Sequence, residues 1–202
     1  MAAVWRAASM LLEATRSIHG AWRIARLDPD ALAYFNVTAD GFWRSFSALV
    51  LVAPFYIGFL ILSHGQQPGP ELPTGPVISA AWYVTVKLLA FVAGWLVFPV
   101  VMVAISRLLD LTQTYAQYII VWNWANVLEM VVILPAVMLF LSGALPGQSA
   151  AMILMAAQIT MLFYGYLVAR AGLRCKTVTA IGVVAFNFVL SLFFNGLASR
   201  LL

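Results

Sequence analysis

Long apolar segments alternate with short polar connections along most of the chain. After residue 41, five segments carry few charged side chains, at about 42–64, 77–105, 115–141, 149–170 and 177–198. A helix of about 20 residues, rising ~1.5 Å per residue, crosses the ~30 Å hydrocarbon core of a bilayer. The pattern therefore predicts an all-α, polytopic integral membrane protein with five transmembrane helices, whose transmembrane domain covers residues 42–202.

The first 41 residues form a different kind of segment, because apolar and polar residues alternate there with the period of a helix. The apolar stripe recurs every three or four positions, at Val4, Ala8, Leu11, Leu12, Thr15, Ile18, Trp22 and Ala25. The opposite stripe is polar and mostly basic, at Arg6, Ser9, Glu13, Arg16, Gly20 and Arg23. We expect an amphipathic helix over residues 2–27, followed by a short second helix that starts at Asp28-Pro29 and ends near Tyr34.

A helix of this type suits the surface of an anionic membrane, where the apolar face enters the interface and the basic residues meet lipid headgroups. The residues predicted to make these contacts are Trp5, Arg6, Arg16, Trp22, Arg23 and Arg26. The second interpretation is that the helix packs on the cytoplasmic side of the protein itself. The two interpretations are compatible.

Composition and charge agree with a membrane location. The chain is 64% hydrophobic and 9% charged, with a mean hydropathy of +0.97, whereas soluble domains are about 25% charged. The net charge of +4 comes from scattered arginines rather than a basic block, so nucleic acid is not an expected partner. All but two of the 11 lysines and arginines lie before the first span or near its start, or in or beside the second and fourth connections. The positive-inside rule then predicts a cytoplasmic amino terminus and a carboxyl terminus on the outer side of a cell (inner) membrane.

Two charged residues, Lys87 and Glu129, lie deep within the predicted spans. Lys87 is about 6 Å from the middle of the second span, and Glu129 lies near the middle of the third. A charge at that depth costs about 2.5–3.5 kcal/mol on insertion scales. Since the two spans are joined by a short link, we predict that Lys87 and Glu129 form an intramembrane ion pair. The alternatives are that Lys87 reaches toward the outer interface while a protonated Glu129 bonds to Asn126, or that both residues serve transport or catalysis.

Other polar side chains within the spans are candidates for hydrogen bonds between helices. In the fifth span a polar residue recurs every four positions and so follows one helical face, at Asn187, Ser191 and Asn195. Tyr83 shares the face of Lys87, and Asn126 that of Glu129; Asn123, Gln158 and Thr160 are interpreted in the same way. A polar pathway is the alternative interpretation of the face on the fifth span.

Motifs for catalysis, metals and cofactors are not found. His19 and His64 are isolated, and no nucleophile elbow, phosphate-binding loop or dinucleotide fingerprint occurs. Cys175 lies between Arg174 and Lys176, where a lowered thiol pKa is conceivable. The expectation is a non-enzymatic protein with no cofactor and no metal.

Two stretches resemble a known family. The segments SRLLDLTQTYAQYIIVWNWANVLEMVVILP (106–135) and ITMLFYGYLVARAGLRCKTVTAIGVV (159–184) resemble the middle span, and the fourth span, basic turn and fifth span, of the Yip-type (Ypt-interacting protein) family, bacterial branch. The resemblance implies five spans and a role in membrane organisation, trafficking or complex assembly through protein or lipid contacts. A protein partner or a homo-oligomer is expected in that case. The alternative hypothesis is a subunit of an oligomeric transporter or channel that uses Lys87 and Glu129.

Overall fold

The structure, a computed structural model, describes residues 2–65 and 78–202, with side chains described from residue 10 onward. Within these ranges the regular elements are helices. A short 3₁₀ helix covers Ala31–Tyr34, and the α-helices are α1 Ala2–Ala25, α2 Ala39–Ser45, α3 Ser47–His64, α4 Ala80–Leu108, α5 Thr112–Leu141, α6 Gly147–Leu173 and α7 Thr177–Arg200. The side chains of Trp5 and Arg6 and the predicted first residue of the second span, 77, lie outside the described part.

Among residues 2–65 and 78–202, five helical segments are long and apolar enough to cross a membrane, which confirms the predicted all-α polytopic architecture. The first consists of α2 and α3 together, Ala39–His64, and the others are α4 to α7. The helices continue through the three prolines of the spans, Pro54, Pro99 and Pro135. The predicted short helix after Pro29 forms as the 3₁₀ helix, and it begins two residues later than Pro29.

Helix α5 is the centre of the bundle. Its residues 118–125 are all buried, so this half of the helix is covered on every side rather than along one stripe. It packs against α1, α2, α3, α4 and α6. Gly172 of α6 lies so close to the backbone of Tyr118 that a Cβ there would be 3.0 Å from the Tyr118 Cα. The small residue thus allows α5 and α6 to approach closely where the bundle is most buried.

Helix α1 packs on α5 and α6 through small side chains. Ala14, Ser17 and Ala21 are buried on this face, and the hydroxyl of Tyr164 in α6 donates to the carbonyl of Ala21 across 2.9 Å. We call the end of the bundle that carries α1 and the residues Arg107, Arg170 and Arg174 the basic end. The interpretation of α1 as a helix packed on the protein is therefore confirmed.

The polar stripe of α1 faces the segment that follows it. Glu13 forms an ion pair with Arg44 at 3.1 Å, and Arg16 donates to the carbonyl of Ala33 at 2.7 Å. Arg23 pairs with Asp28 and also bonds to the hydroxyl of Tyr34. These contacts fasten the 3₁₀ helix and α2 to α1.

The apolar stripe of α1 is left uncovered by the described part of the chain. Leu11 is 66% exposed and Trp22 is 47% exposed, and Leu12 and Leu27 are exposed beside them. This is the face that the sequence assigns to the membrane interface.

Candidate functional site

A cleft opens in the bundle between α5 and α7. Helix α7 packs against α4 and α6 rather than against α5, so a space remains beside the second half of α5. The space has a volume of about 240 Å³ and is lined by residues of α3 to α7. We call it the Glu129 cleft; its polar lining consists of Tyr118, Asn126, Glu129, Gln158, Asn187, Ser191 and Asn195, and its aromatic lining of Tyr56, Phe91, Trp95, Trp122, Phe188 and Phe194.

Three polar side chains of the cleft have no partner within the described part of the chain. The carboxyl group of Glu129 and the amides of Gln158 and Asn187 take part in none of its hydrogen bonds or ion pairs. They come from three different helices and line one space. Asn126 differs, because its amide donates to the carbonyl of Trp122 on its own helix across 2.7 Å. The predicted bond between Glu129 and Asn126 is therefore wrong.

The predicted ion pair between Lys87 and Glu129 is also wrong. The ammonium of Lys87 donates to the hydroxyl of Ser199 in α7 across 2.9 Å. The ion pairs among the described residues are Arg23–Asp28 and Glu13–Arg44. The physical reason lies in the helix packing, because the face of α4 that carries Lys87 contacts the end of α7 rather than α5. The structure supports the alternative interpretation, in which Lys87 reaches toward the end of the bundle opposite the basic end.

The polar face of α7 is real and longer than predicted. Asn187, Ser191 and Asn195 all line the cleft, and Ser199 continues the same four-residue spacing to Lys87. Ser191 donates to the carbonyl of Phe188, Asn195 to that of Ser191, and Ser199 to that of Asn195. Ser191 and Asn195 thus bond to the backbone of α7 itself rather than to a neighbouring helix of the described chain. The face extends over about 18 Å, from the middle of the bundle to its end.

Asn123 has a structural role rather than a place in the cleft. It is fully buried, accepts a hydrogen bond from the indole N–H of Trp95 at 2.8 Å and donates to the hydroxyl of Ser45 at 2.8 Å. Ser45 in turn donates to the carbonyl of Phe42. This network joins α2, α4 and α5, and it fixes the ring of Trp95, which lines the cleft.

The remaining predicted residues lie away from the cleft. Tyr83 is buried at the end of the bundle opposite the basic end, where the centroid of its ring lies 5.0 Å from that of His64. Arg16, Trp22, Arg23 and Arg26 lie on α1 or directly after it.

Aromatic rings form a continuous wall on one side of the cleft. The rings of Phe91 and Trp95 are 5.5 Å apart, and those of Trp95 and Trp122 are also 5.5 Å apart. A second cavity of about 220 Å³ adjoins the first, and Glu129, Gln158 and Trp95 line both. Glu129 therefore lies where two cavities meet.

The described side chains that line the cleft do not resemble the ligands of a metal centre. Among the residues that the structure describes, no three or more His, Cys, Asp or Glu side chains come together as metal ligands. The conceivable lowering of the Cys175 pKa is wrong as well, because the thiol is buried beside the carbonyl of Ala169 and burial raises its pKa. The cleft offers one carboxyl group, amides and aromatic rings.

Sequence reasoning missed two members of this region. Gln158 was interpreted only as a helix-contact residue, and Ser199 was not singled out. The signal for Ser199 was available, since it continues the spacing of Asn187, Ser191 and Asn195.

Comparison with family models, with curated proteins and with solved structures finds no match for the chain. The side chains of the cleft and of α1 therefore carry the functional assignment.

Proposed function

We propose that the protein is a non-enzymatic multi-pass membrane protein that binds a small polar ligand in the Glu129 cleft, as a subunit of a membrane transport assembly. The observation that supports the proposal is the convergence on one cleft of Glu129, Gln158 and Asn187, none of which has a side-chain partner among the described residues.

Energetics favour a functional role for Glu129. A carboxylate at mid-span costs about 2.5–3.5 kcal/mol on insertion scales, and no cationic side chain among the cleft residues offsets that cost. Polar groups inside a bundle normally bond to one another or to the backbone, as Asn123 does. A bound ligand would supply the missing partners.

The depth of the cleft fits transport. Substrate sites of transporters lie near the bilayer midplane, between helices that move against each other. Glu129 is near the middle of α5, and the polar face of α7 leads from that level to the end of the bundle at Lys87. Five spans are few for a complete transporter, so we propose a second copy of this chain or another subunit as partner.

The proposal is tested with purified protein in nanodiscs and three classes of solute: inorganic cations, organic ammonium ions and neutral polar molecules. At least one class should raise the unfolding temperature of the native chain and leave that of Glu129→Gln unchanged, because the ligand binds the folded state only. Thr160→Val is the matched control, since Thr160 is exposed outside the cleft and bonds only to the carbonyl of Ala156. Stabilisation by no class, or equal stabilisation of Glu129→Gln, contradicts the proposal.

Transport of the solute across the membrane should depend on Glu129 in the same way as its binding does. Proteoliposomes that contain the native chain should release the stabilising solute faster than vesicles with Glu129→Gln. Equal release rates would contradict a role in transport, whereas the proposal that the cleft binds a ligand would still stand.

A second candidate function is supported by the exposed apolar stripe of α1. The exposure of Leu11, Leu12 and Trp22 beside Arg16 and Arg26 fits contact with anionic lipids at the basic end, which we propose faces the cytoplasm of a cell membrane. Membrane organisation of the kind implied by the Yip-type resemblance would use this surface.

The lipid contact is tested with a polarity-sensitive fluorophore on a cysteine at Leu11, in a Cys175→Ser background. Its emission should shift to the blue in anionic nanodiscs, whereas the same fluorophore at the exposed Asp30 should report water. Identical emission from the two sites would contradict lipid contact by α1.

A further inference from the structure

We propose that the ligand of the Glu129 cleft is a small organic cation, held by the carboxylate of Glu129 and by the aromatic rings of the cleft. This inference rests on the proposed function and specifies its ligand. Two features of the lining support it: its charge and its aromatic content.

The charge of the cleft is one-sided. Among the described residues that line the cleft, Glu129 is the one carboxylic acid, and none is a lysine, arginine or histidine. The nearest candidate partner by sequence, Lys87, bonds to Ser199 instead. A cationic ligand would therefore neutralise the carboxylate, whereas an anion would be repelled in a medium that screens poorly.

The aromatic wall distinguishes an organic cation from a metal ion. Faces of Trp, Tyr and Phe attract ammonium groups, and tryptophan does so best. Phe91, Trp95 and Trp122 form a contiguous series of rings, and Phe188 lines the cleft from α7. An ammonium group with apolar substituents can contact these rings and Glu129 at the same time.

Amide side chains lie beside Glu129 in the lining of the cleft. The amides of Gln158 and Asn187 can bond to the N–H groups of an ammonium ion or to a hydroxyl substituent.

The cleft itself, without the adjoining cavity, has a volume of about 240 Å³. Pockets for drug-sized molecules are about 300–1,000 Å³, so this cleft suits a smaller compound. The class is therefore a small alkylammonium, with or without a hydroxyl group.

The test uses choline and its uncharged isostere 3,3-dimethylbutan-1-ol, with the full chain in nanodiscs at constant ionic strength. Choline should bind in equilibrium dialysis and the isostere should not, because only the charge differs. Glu129→Gln should abolish choline binding while keeping the native elution volume and circular dichroism.

The aromatic contribution is tested on one helix with a matched pair. Phe188→Leu should weaken choline binding by about three- to tenfold, which corresponds to a cation–π contact of about 0.7–1.4 kcal/mol. Phe193→Leu should leave it unchanged, since Phe193 is 62% exposed and does not line the cleft. Equal effects of the two variants would overturn the aromatic part of the proposal.

The outcomes separate this inference from the proposed function. Equal binding of choline and its isostere, or Glu129-dependent binding of sodium without choline, overturns the organic cation and leaves a polar ligand site in place. Failure of all three solute classes to bind overturns both.

Discussion

The ammonium of Lys87 lies 2.9 Å from the hydroxyl of Ser199, so α4 and α7 are joined at the end of the polar face that begins at Asn187. Lys87 is thus accommodated by reaching along the bundle toward its end, in the way that long basic side chains place their charge near an interface. The consequence is that the carboxyl group of Glu129 is left for another partner.

This arrangement predicts the result of two double-mutant cycles on the free energy of unfolding. Lys87→Met and Glu129→Gln should be additive within about 0.5 kcal/mol, as for residues that share no contact. Lys87→Met and Ser199→Ala should show a coupling of about 0.6 kcal/mol, the average for hydrogen bonds inside membranes. A larger coupling of Lys87 to Glu129 than to Ser199 would show that the two charges are paired.

The buried amide of Asn123 should be important for stability. Asn123→Leu leaves the indole N–H of Trp95 without its acceptor, so we expect a loss of about 1–3 kcal/mol in the free energy of unfolding. The measurement is reversible unfolding in detergent, with Thr160→Val as a control that should change stability by less than about 0.5 kcal/mol. A neutral Asn123→Leu variant would contradict the assigned network.

Asp28 should titrate below the ordinary aspartate pKa of 3.8. The backbone N–H of Asp30 and then the guanidinium of Arg23 bond to the carboxylate and lower its pKa. Because the pKa of Asp28 is lower in the folded state, the ionised carboxylate stabilises the fold at pH values above the Asp28 pKa of the unfolded chain. That contribution is lost as the pH falls through the Asp28 pKa of the folded protein.

The carboxyl ¹³C shift of Asp28, followed by NMR, measures this directly. The midpoint of the Asp28 titration should rise in Arg23→Gln and still stay below the ordinary aspartate pKa, since the hydrogen bond from the backbone N–H of Asp30 remains. A midpoint at or above 3.8 in the native chain would refute the assignment.

The single cysteine should be unreactive. Cys175 is 9% exposed and burial raises its pKa, so little thiolate is available to react at neutral pH. Alkylation by N-ethylmaleimide should be at least about tenfold slower than for Lys176→Cys in a Cys175→Ser background, because Lys176 is exposed. Comparable rates would place the thiol at the surface.

Sequence patterns predicted the helices well because membrane insertion depends on local composition. Each predicted span lies within a few residues of an observed helix, and the amphipathic α1 and the polar face of α7 follow from spacing alone. The orientation of the bundle in its membrane stays a prediction from the distribution of basic residues.

The partners of Lys87 and Glu129 could not be predicted in the same way, because they depend on which helices are neighbours. Matching depth made an ion pair reasonable, yet α4 turns the face with Lys87 toward α7. The burial of the small face of α1 is another such case. The residues that pack on α5 and α6 are Ala14, Ser17 and Ala21, and neither stripe of the sequence pattern includes them.

The most direct test of the polar cleft is the accessibility of Asn187 in intact membranes, with Cys175→Ser as background. Asn187→Cys faces the cleft, and Val189→Cys, two residues on, is 61% exposed on the outside of the bundle. A small charged methanethiosulfonate reagent requires water to react with a thiol. We predict that it modifies Asn187→Cys and leaves Val189→Cys unmodified, and that choline slows the reaction. Modification of neither site, or of Val189→Cys alone, would show that Glu129 lies in a dry interior and would contradict a ligand site there.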